Sequence, residues 1–121
     1  MIIRIDKNKE RKIRARRQSD ISGTKDKPRL VVYRSLGNIY AQLIDDDKAE
    51  TILAANTLQP AIEKLCKGKT KKEAAFIVGE QLGKAAVAKK IKACVFDRNG
   101  YVYHGRVQQV AEGARKGGLV F

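Results

Sequence analysis

Residues 29–44 read RLVVYRSLGNIYAQLI, two β-type runs on either side of a Leu-Gly-Asn turn. Valine and isoleucine favour strands. The second run alternates Ile39, Ala41 and Leu43 with residues that make its other face more polar. An acidic turn and a third short run, residues 51–55, follow directly. The sequence therefore predicts an antiparallel three-stranded meander.

Helical periodicity begins after the third strand. A short helix is expected from Pro60, and Thr70 with Glu73 matches a capping box that opens a long helix. Residues 91–96 predict a fourth strand, and a last helix follows Gly105. The long helix permits a crossover, so the fourth strand can run parallel to one of the first three. The predicted fold class is α/β, with a small mixed sheet packed on helices.

Two glycines, Gly79 and Gly83, lie four residues apart in the apolar stripe of the long helix. Each costs about 1 kcal/mol relative to alanine in a helix interior. We therefore expect that they allow close packing of this helix against the sheet. The flanking charges argue against a membrane dimer motif.

The chain is short and strongly basic. Its 121 residues include 26 Lys+Arg and 13 Asp+Glu, a net charge of +13. This excess predicts a polyanionic partner, most often nucleic acid. We expect no membrane span, which needs about 20 apolar residues, and no secretory signal. Cys66 and Cys94 are expected to be small core residues, and their spacing fits a reducing cytosol rather than a disulfide framework or metal site.

The positive charge is concentrated near the N-terminus. Residues 1–34 carry 12 basic and 4 acidic side chains, and residues 7–17 hold seven basic side chains opposed only by Glu10. Such a run repels itself without a counter-charge, and arginine forms bidentate hydrogen bonds to phosphate. We predict that residues 1–28 form a basic arm and linker, and residues 29–121 a single α/β RNA-binding domain.

Catalytic candidates are few. A two-metal nuclease needs carboxylates that converge from different elements, whereas Asp45, Asp46 and Asp47 share one turn. We expect that turn to be a solvated hairpin tip. His104 is the only histidine and has no triad partners near it. The sequence therefore predicts no enzymatic activity, no cofactor, no metal site and no small-molecule substrate.

Tyrosines and arginines lie on or beside the predicted strands. The tyrosines are Tyr33, Tyr40, Tyr101 and Tyr103. Such side chains on a sheet stack with unpaired RNA bases. Alternatively, two or three of these tyrosines pack in the core. Tyr40 is the one expected to be exposed, because it alternates with Gln42.

Residues 96–107, FDRNGYVYHGRV, continue into AEGARKGGLVF at residues 111–121. Together they resemble the C-terminal signature of the bacterial large-subunit ribosomal protein L-eighteen family. Residues 29–35 and 38–42 resemble the first hairpin of that family, and the basic arm lies where the family's arm lies. The resemblance covers nearly the whole chain.

This resemblance implies a cytoplasmic protein of the large ribosomal subunit that binds 5S rRNA in the central protuberance. It also implies contacts with 23S rRNA and with neighbouring 5S-binding ribosomal proteins. The implied fold is of the translational-machinery-component type, related in topology to ribonuclease H without its catalytic acids. By position, the implied RNA contacts are Arg4, Lys7, Lys9, Arg11, Lys12, Arg14, Arg16, Arg17, Arg29, Arg34, Ser35, Asn38, Tyr40, Gln42, Arg98, His104 and Arg106.

Two alternatives from other classes stay open. One is a metal-dependent nuclease of ribonuclease-H-like topology, which the clustering of the acids in one turn disfavours. The other is a DNA-packaging protein. Recognition of 2′-hydroxyls and loops would favour RNA over duplex DNA under the first interpretation.

Overall fold

The computed structural model describes residues 21–121, which form a four-stranded mixed sheet and three helices. The strands are β1 (Arg29–Arg34), β2 (Ile39–Asp45), β3 (Glu50–Asn56) and β4 (Val95–Asp97). The helices are α1 (Pro60–Cys66), α2 (Lys71–Ala88) and α3 (Gly105–Gly117). The strand order is β3-β2-β1-β4, with the first three strands antiparallel and β4 parallel to β1. The predicted α/β class, the meander and the parallel crossover are confirmed.

The core lies between one face of the sheet and the helices α2 and α3. The predicted alternation along β2 is confirmed, since Ile39, Ala41 and Leu43 are buried. Leu30 and Val32 of β1 join them from the same face. Adjacent residues of a strand point to opposite faces, so the intervening residues of β1 and β2 lie on the other face. We call this the open face of the sheet, because the helices pack against the first. None of the helices within residues 21–121 is long and apolar enough to cross a bilayer.

The long helix begins as predicted. The Thr70 hydroxyl accepts a hydrogen bond from the backbone NH of Glu73 at 3.2 Å and donates to the Glu73 carboxylate at 3.1 Å. The fourth strand is shorter than predicted and begins later, at Val95. The residues just before β4 do not pair with β1. Ala93 instead forms a parallel bridge with Val120 of the C-terminal segment.

The glycines of α2 pack against α3, which corrects the prediction that they face the sheet. A Cβ atom at Gly79 would overlap the carbonyl oxygen of Val110. Conversely, a Cβ atom at Gly113 of α3 would overlap the carbonyl oxygen of Phe76. The two helix backbones are therefore in direct contact, and only glycine fits at the crossing.

The segment before β1 lies against the domain. Gly23 and Pro28 are buried, and the Pro28 carbonyl accepts a hydrogen bond from the Val95 NH at 2.9 Å. The sequence predicts that residues 1–28 are a basic arm and linker and that the folded domain begins at residue 29. In the structure, residues 23–28 already belong to the packed unit.

The expectation of a solvated tip for the acidic turn between β2 and β3 holds for Asp47, which is exposed, but is wrong for Asp45. Asp45 is only 3 % exposed, and its side chain accepts a hydrogen bond from the Asp47 NH at 3.0 Å. Asp46 accepts from the NH of Gly23 at 2.6 Å. The aspartates thus hold the turn and the segment before β1 together.

Candidate nucleic-acid interface

The sequence-predicted RNA contacts fall into two groups. The basic arm residues Arg4, Lys7, Lys9, Arg11, Lys12, Arg14, Arg16 and Arg17 lie outside the described residues. The remaining nine are placed by the structure and lie on the open sheet face, at the β1–β2 turn, or near the start of α3.

The open sheet face presents a pair of tyrosines. Tyr33 and Tyr40 are cross-strand neighbours, and their ring centroids lie 5.8 Å apart. With Val31, Gln42 and Asn99 they line a shallow cleft of about 450 Å³. Tyr33 is 49 % exposed whereas Tyr40 is half-buried, so the predicted preference for Tyr40 as the exposed ring is wrong. The cleft offers aromatic surface and the exposed amide of Gln42 to a flat ligand.

The β1–β2 turn uses its polar groups internally. Ser35 and Asn38 close the turn through a backbone hydrogen bond of 2.9 Å and a second bond from the Asn38 NH to the Ser35 hydroxyl. The Asn38 side chain accepts from the Thr57 hydroxyl at 2.9 Å. These two predicted contacts therefore shape the turn, whose tip, Leu36, is 89 % exposed.

Two arginines flank the turn on the helix side. The Arg34 guanidinium lies 4.8 Å from the centroid of the Tyr101 ring. Arg106 Nη1 donates to the Ser35 carbonyl at 3.0 Å, which ties α3 to the turn. Tyr101 is only 9 % exposed, so it supports Arg34 from the core and offers little surface to a base.

His104 and Arg98 lie near the β4–α3 connection. His104 is exposed and is the residue before α3, where its side chain makes no capping hydrogen bond. Arg98 is half-buried, and its carbonyl accepts from the Tyr101 NH at 3.1 Å. The exposed imidazole of His104 is the more accessible of the two predicted contacts.

Tyr103 belongs to a separate aromatic cluster that the sequence analysis did not identify. The rings of Phe96 and Phe121 stack with centroids 5.6 Å apart, and Tyr103 meets Phe96 edge-on. Arg115 lies 4.4 Å above the Phe121 ring and donates to the Tyr103 hydroxyl at 3.1 Å. The cluster unites β4, the C-terminal residue and α3, which no local pattern indicates.

Arg29 is occupied within the domain. Its Nε and Nη2 atoms donate to the two carboxylate oxygens of Asp46 at 2.9 and 3.0 Å, and Nη1 donates to Asp97 at 2.8 Å. The hydrogen bonds from Arg29, with that from the Gly23 NH, lower the pKa of Asp46 below its ordinary value of 3.8. Hydrogen bonding to Asp46 in turn raises the pKa of Arg29. Arg29 therefore spends three of its N–H donors on contacts within the domain.

The described residues present no metal-binding constellation. Within residues 21–121, no three His, Cys, Asp or Glu side chains are grouped so as to hold a metal ion. Two carboxylates do converge from different elements, Asp46 and Asp97, but they meet on the Arg29 guanidinium. The guanidinium of Arg29 therefore occupies the space between these two carboxylates.

Both cysteines were predicted to be core residues, and this is confirmed for Cys94 but only partly for Cys66. Cys94 is buried in the core, and desolvation raises the pKa of its thiol to about 12. Cys66 is half-buried, packs against the core, and has a pKa raised by the same cause. Neither thiol is activated for nucleophilic chemistry.

Fold and surface together define a class: a small basic α/β domain with aromatic and cationic side chains at one end of its sheet, which is typical of nucleic-acid-binding proteins. Comparison with known proteins gives the family. A family model described as ribosomal L18 of archaea, bacteria, mitochondria and chloroplast matches residues 4–121. The chain belongs to this family and is a structural constituent of the ribosome.

Similar proteins cover the chain from end to end. The large ribosomal subunit protein uL18 of Finegoldia magna is 51% identical over 122 aligned positions, which are 100% of both chains. That of Pediococcus pentosaceus is 54% identical with the same coverage. The uL18 protein of Chlorobium phaeobacteroides is 52% identical over 118 positions, 97% of this chain and 98% of its own.

Proposed function

We propose that the chain is a non-catalytic constituent of the large ribosomal subunit in the cytoplasm. It binds 5S rRNA and helps to attach it to 23S rRNA in the central protuberance, beside other 5S-binding ribosomal proteins. The observation that carries this proposal is the full-length similarity to uL18 proteins of the large ribosomal subunit. The mixed sheet is compatible with a ribonuclease-H-like topology, and Asp46 and Asp97, the two carboxylates that converge from different elements, are both paired with Arg29.

Binding has two components. The arm, Arg4 to Arg17, supplies sequence-independent affinity by neutralising phosphates, which makes binding depend steeply on salt. The folded surface supplies fit to the RNA. Unpaired bases stack on Tyr33 and Tyr40 while Gln42 hydrogen-bonds a base edge, and Arg34 and His104 contact the flanking backbone.

The test is a titration of 5S rRNA with full-length protein at several salt concentrations. The variant Arg14→Gln/Arg16→Gln/Arg17→Gln removes three arm charges. We expect the slope of log K against log salt to fall by about 2–3, because each phosphate contact contributes roughly 0.7–0.9. The matched control, Lys89→Gln/Lys90→Gln/Lys92→Gln, removes three charges from an exposed surface at the end of α2.

Equal slopes for the arm variant and the wild type would contradict the proposed role of the arm. Duplex DNA as a competitor separates RNA recognition from general polyanion binding. Labelled 5S rRNA is displaced either by duplex DNA or by unlabelled 5S rRNA. We expect duplex DNA to need a concentration more than about tenfold higher, because DNA lacks the 2′-hydroxyls and loops.

A further inference from the structure

The β3 strand lies at an edge of the sheet. Within residues 21–121 it is the outermost strand and pairs with β2 alone. The backbone NH and C=O groups along such an edge can pair with a strand of another molecule, and lysine or proline in the edge strand commonly prevents this. β3 contains neither lysine nor proline, and residues 51–62 carry no charged side chain. The edge is therefore suited to pairing unless another group closes it.

The side chain of Gln59 lies along this edge. Its Nε2 atom donates a hydrogen bond to the Ala54 carbonyl at 3.3 Å, and its Oε1 atom accepts one from the Asn56 NH at 3.3 Å. The Thr57 NH donates to Ile39 of β2 at 3.2 Å. Because successive residues of a strand direct their backbone groups to alternate sides, Ala54 and Asn56 direct theirs away from β2. A carboxamide has the donor and acceptor of a peptide group, so Gln59 bonds the edge as one residue of a neighbouring strand would.

The turn after β3 holds Gln59 in this position. The Asn56 side chain accepts hydrogen bonds from the NH groups of Leu58 and Gln59 at 2.9 and 3.1 Å, which folds the chain back beside the strand. Pro60 then fixes the backbone at the first position of α1. The Gln59 side chain makes no capping hydrogen bond to α1. Within residues 21–121, all of its hydrogen bonds go to the edge of β3.

A β-bulge makes the first half of the same edge irregular. The register of β2 against β3 shifts between Leu43 and Ile44, and Ile52 of β3 has no counterpart in β2. A bulge increases the local twist of a strand, which hinders the approach of a further strand. The bulge protects the first half of β3, and the second half is left to Gln59.

We propose that the Gln59 carboxamide is a cap that keeps the β3 edge from pairing with the β3 edge of a second copy of this chain. A second copy carries the same uncharged edge, and two such edges can pair antiparallel about a twofold axis. Leu58, which is 57 % exposed beside the cap, would add apolar contact to that pairing. The cap thus has the part that lysine or proline has in other edge strands.

The test measures self-association of the full-length protein by sedimentation equilibrium in about 0.5 M salt, which screens the net positive charge. Gln59→Ser removes the cap, because serine is too short to reach the edge. Serine is also favoured at the residue before a helix, so the start of α1 is kept. Asn56→Ala leaves Gln59 unchanged but removes the acceptor that positions it. Gln109→Ser, in α3, is the matched control.

Each hydrogen bond of the cap contributes modestly, so the two together favour the capped state by about tenfold. Both copies of a dimer must lose their caps, so we expect the dimer Kd of Gln59→Ser to be about 100-fold lower than that of the wild type. Asn56→Ala should lower this Kd too, and Gln109→Ser should match the wild type. Adding Ala54→Lys to Gln59→Ser should raise the Kd again, because the Ala54 side chain is exposed and lysine on an edge opposes pairing.

Self-association of Gln59→Ser no stronger than that of the wild type would overturn the inference. Association that Ala54→Lys leaves unchanged would overturn it too, because the copies would then meet through another surface. Circular dichroism and thermal unfolding establish that each variant is folded. If Gln59→Ser does not fold, Gln59→Asn takes its place, since asparagine is one methylene shorter than glutamine and is also favoured before a helix. No RNA is present, so the outcome does not depend on the proposed function.

Discussion

Arg29 Nη1 donates a hydrogen bond to Asp97 Oδ2 at 2.8 Å, joining the first residue of β1 to the last residue of β4. The same guanidinium holds Asp46 of the β2–β3 turn, and Asp46 in turn accepts from the NH of Gly23. One half-buried arginine thus connects four segments of the chain. Asp46 and Asp97, which come from separate elements, therefore meet on Arg29 and stabilise the fold of this domain.

The Arg29–Asp46 pair makes stability depend on pH. Because the pKa of Asp46 is lowered in the folded state, its contribution is present above the ordinary value of 3.8 and is lost as pH falls below that value. We expect Asp46→Asn to lower the free energy of unfolding by about 1.5–3 kcal/mol at pH 7, and by less at pH 3. Urea unfolding at both pH values measures this.

The control for this prediction is Asp47→Asn, since Asp47 is exposed and lies in the same turn. It should change stability by no more than about 0.5 kcal/mol. A loss for Asp46→Asn that is equal at pH 7 and pH 3 would contradict the pairing.

The crossing of α2 and α3 tolerates no side chain at Gly79. An alanine there gains about 1 kcal/mol in helix propensity, but its Cβ atom overlaps the Val110 carbonyl and lies 2.9 Å from the Ala114 nitrogen. Because both contacts are to backbone, the helices must separate. We expect Gly79→Ala to destabilise the domain by about 1–3 kcal/mol or more, as measured by thermal unfolding.

Gly37→Ala is the comparison for this substitution. A Cβ atom at Gly37 meets nothing within 4 Å. This variant should unfold at nearly the wild-type temperature. If Gly79→Ala did the same, the helices would have to pack less closely than the structure shows.

The tyrosine pair should contribute to RNA affinity without contributing to its salt dependence. Replacing Tyr33 or Tyr40 by alanine removes a stacking surface worth about 1–3 kcal/mol per base, which is about 5- to 150-fold in Kd. The slope of log K against log salt should stay unchanged because the rings carry no charge. Titration of 5S rRNA measures both quantities. Tyr33→Phe, which keeps the ring, should retain affinity, and an equal loss with phenylalanine would argue against stacking.

The two thiols should differ in reactivity. Desolvation raises the pKa of Cys94 to about 12, so the thiol stays protonated at pH 8, and the residue is also buried. Cys66 is half-buried and should react first with iodoacetamide in the native protein. Mass spectrometry after partial labelling identifies the modified residue. In 6 M guanidinium chloride both should react, and native labelling of Cys94 at the rate of Cys66 would contradict its burial.

Features that depend on near neighbours in the chain could be predicted from the sequence. The alternation of Ile39, Ala41 and Leu43 predicts the buried face of β2, and Thr70 with Glu73 predicts the start of α2. Both follow from the spacing of a strand or a helix turn, which is set within a few residues. Family membership is likewise carried by contiguous motifs, such as residues 96–107.

Features that depend on distant residues needed the tertiary structure. The sequence predicted a close contact at Gly79 but assigned it to the sheet instead of α3, since α2 and α3 are separate in the chain and meet only in the folded domain. The sequence shows that Arg29 is basic but not that it is paired. Its partners Asp46 and Asp97 lie in two other elements and reach it only in the folded domain.

Composition and local pattern determined that this is a basic α/β protein of a ribosomal family, because charge and periodicity do not depend on how the elements meet. Only the tertiary structure decided which cations are available to a ligand. An arginine or lysine is free for RNA when folding brings no carboxylate to it. That separates Arg29, which is paired, from Lys67 and Lys72, which have no carboxylate of residues 21–121 within 4.0 Å.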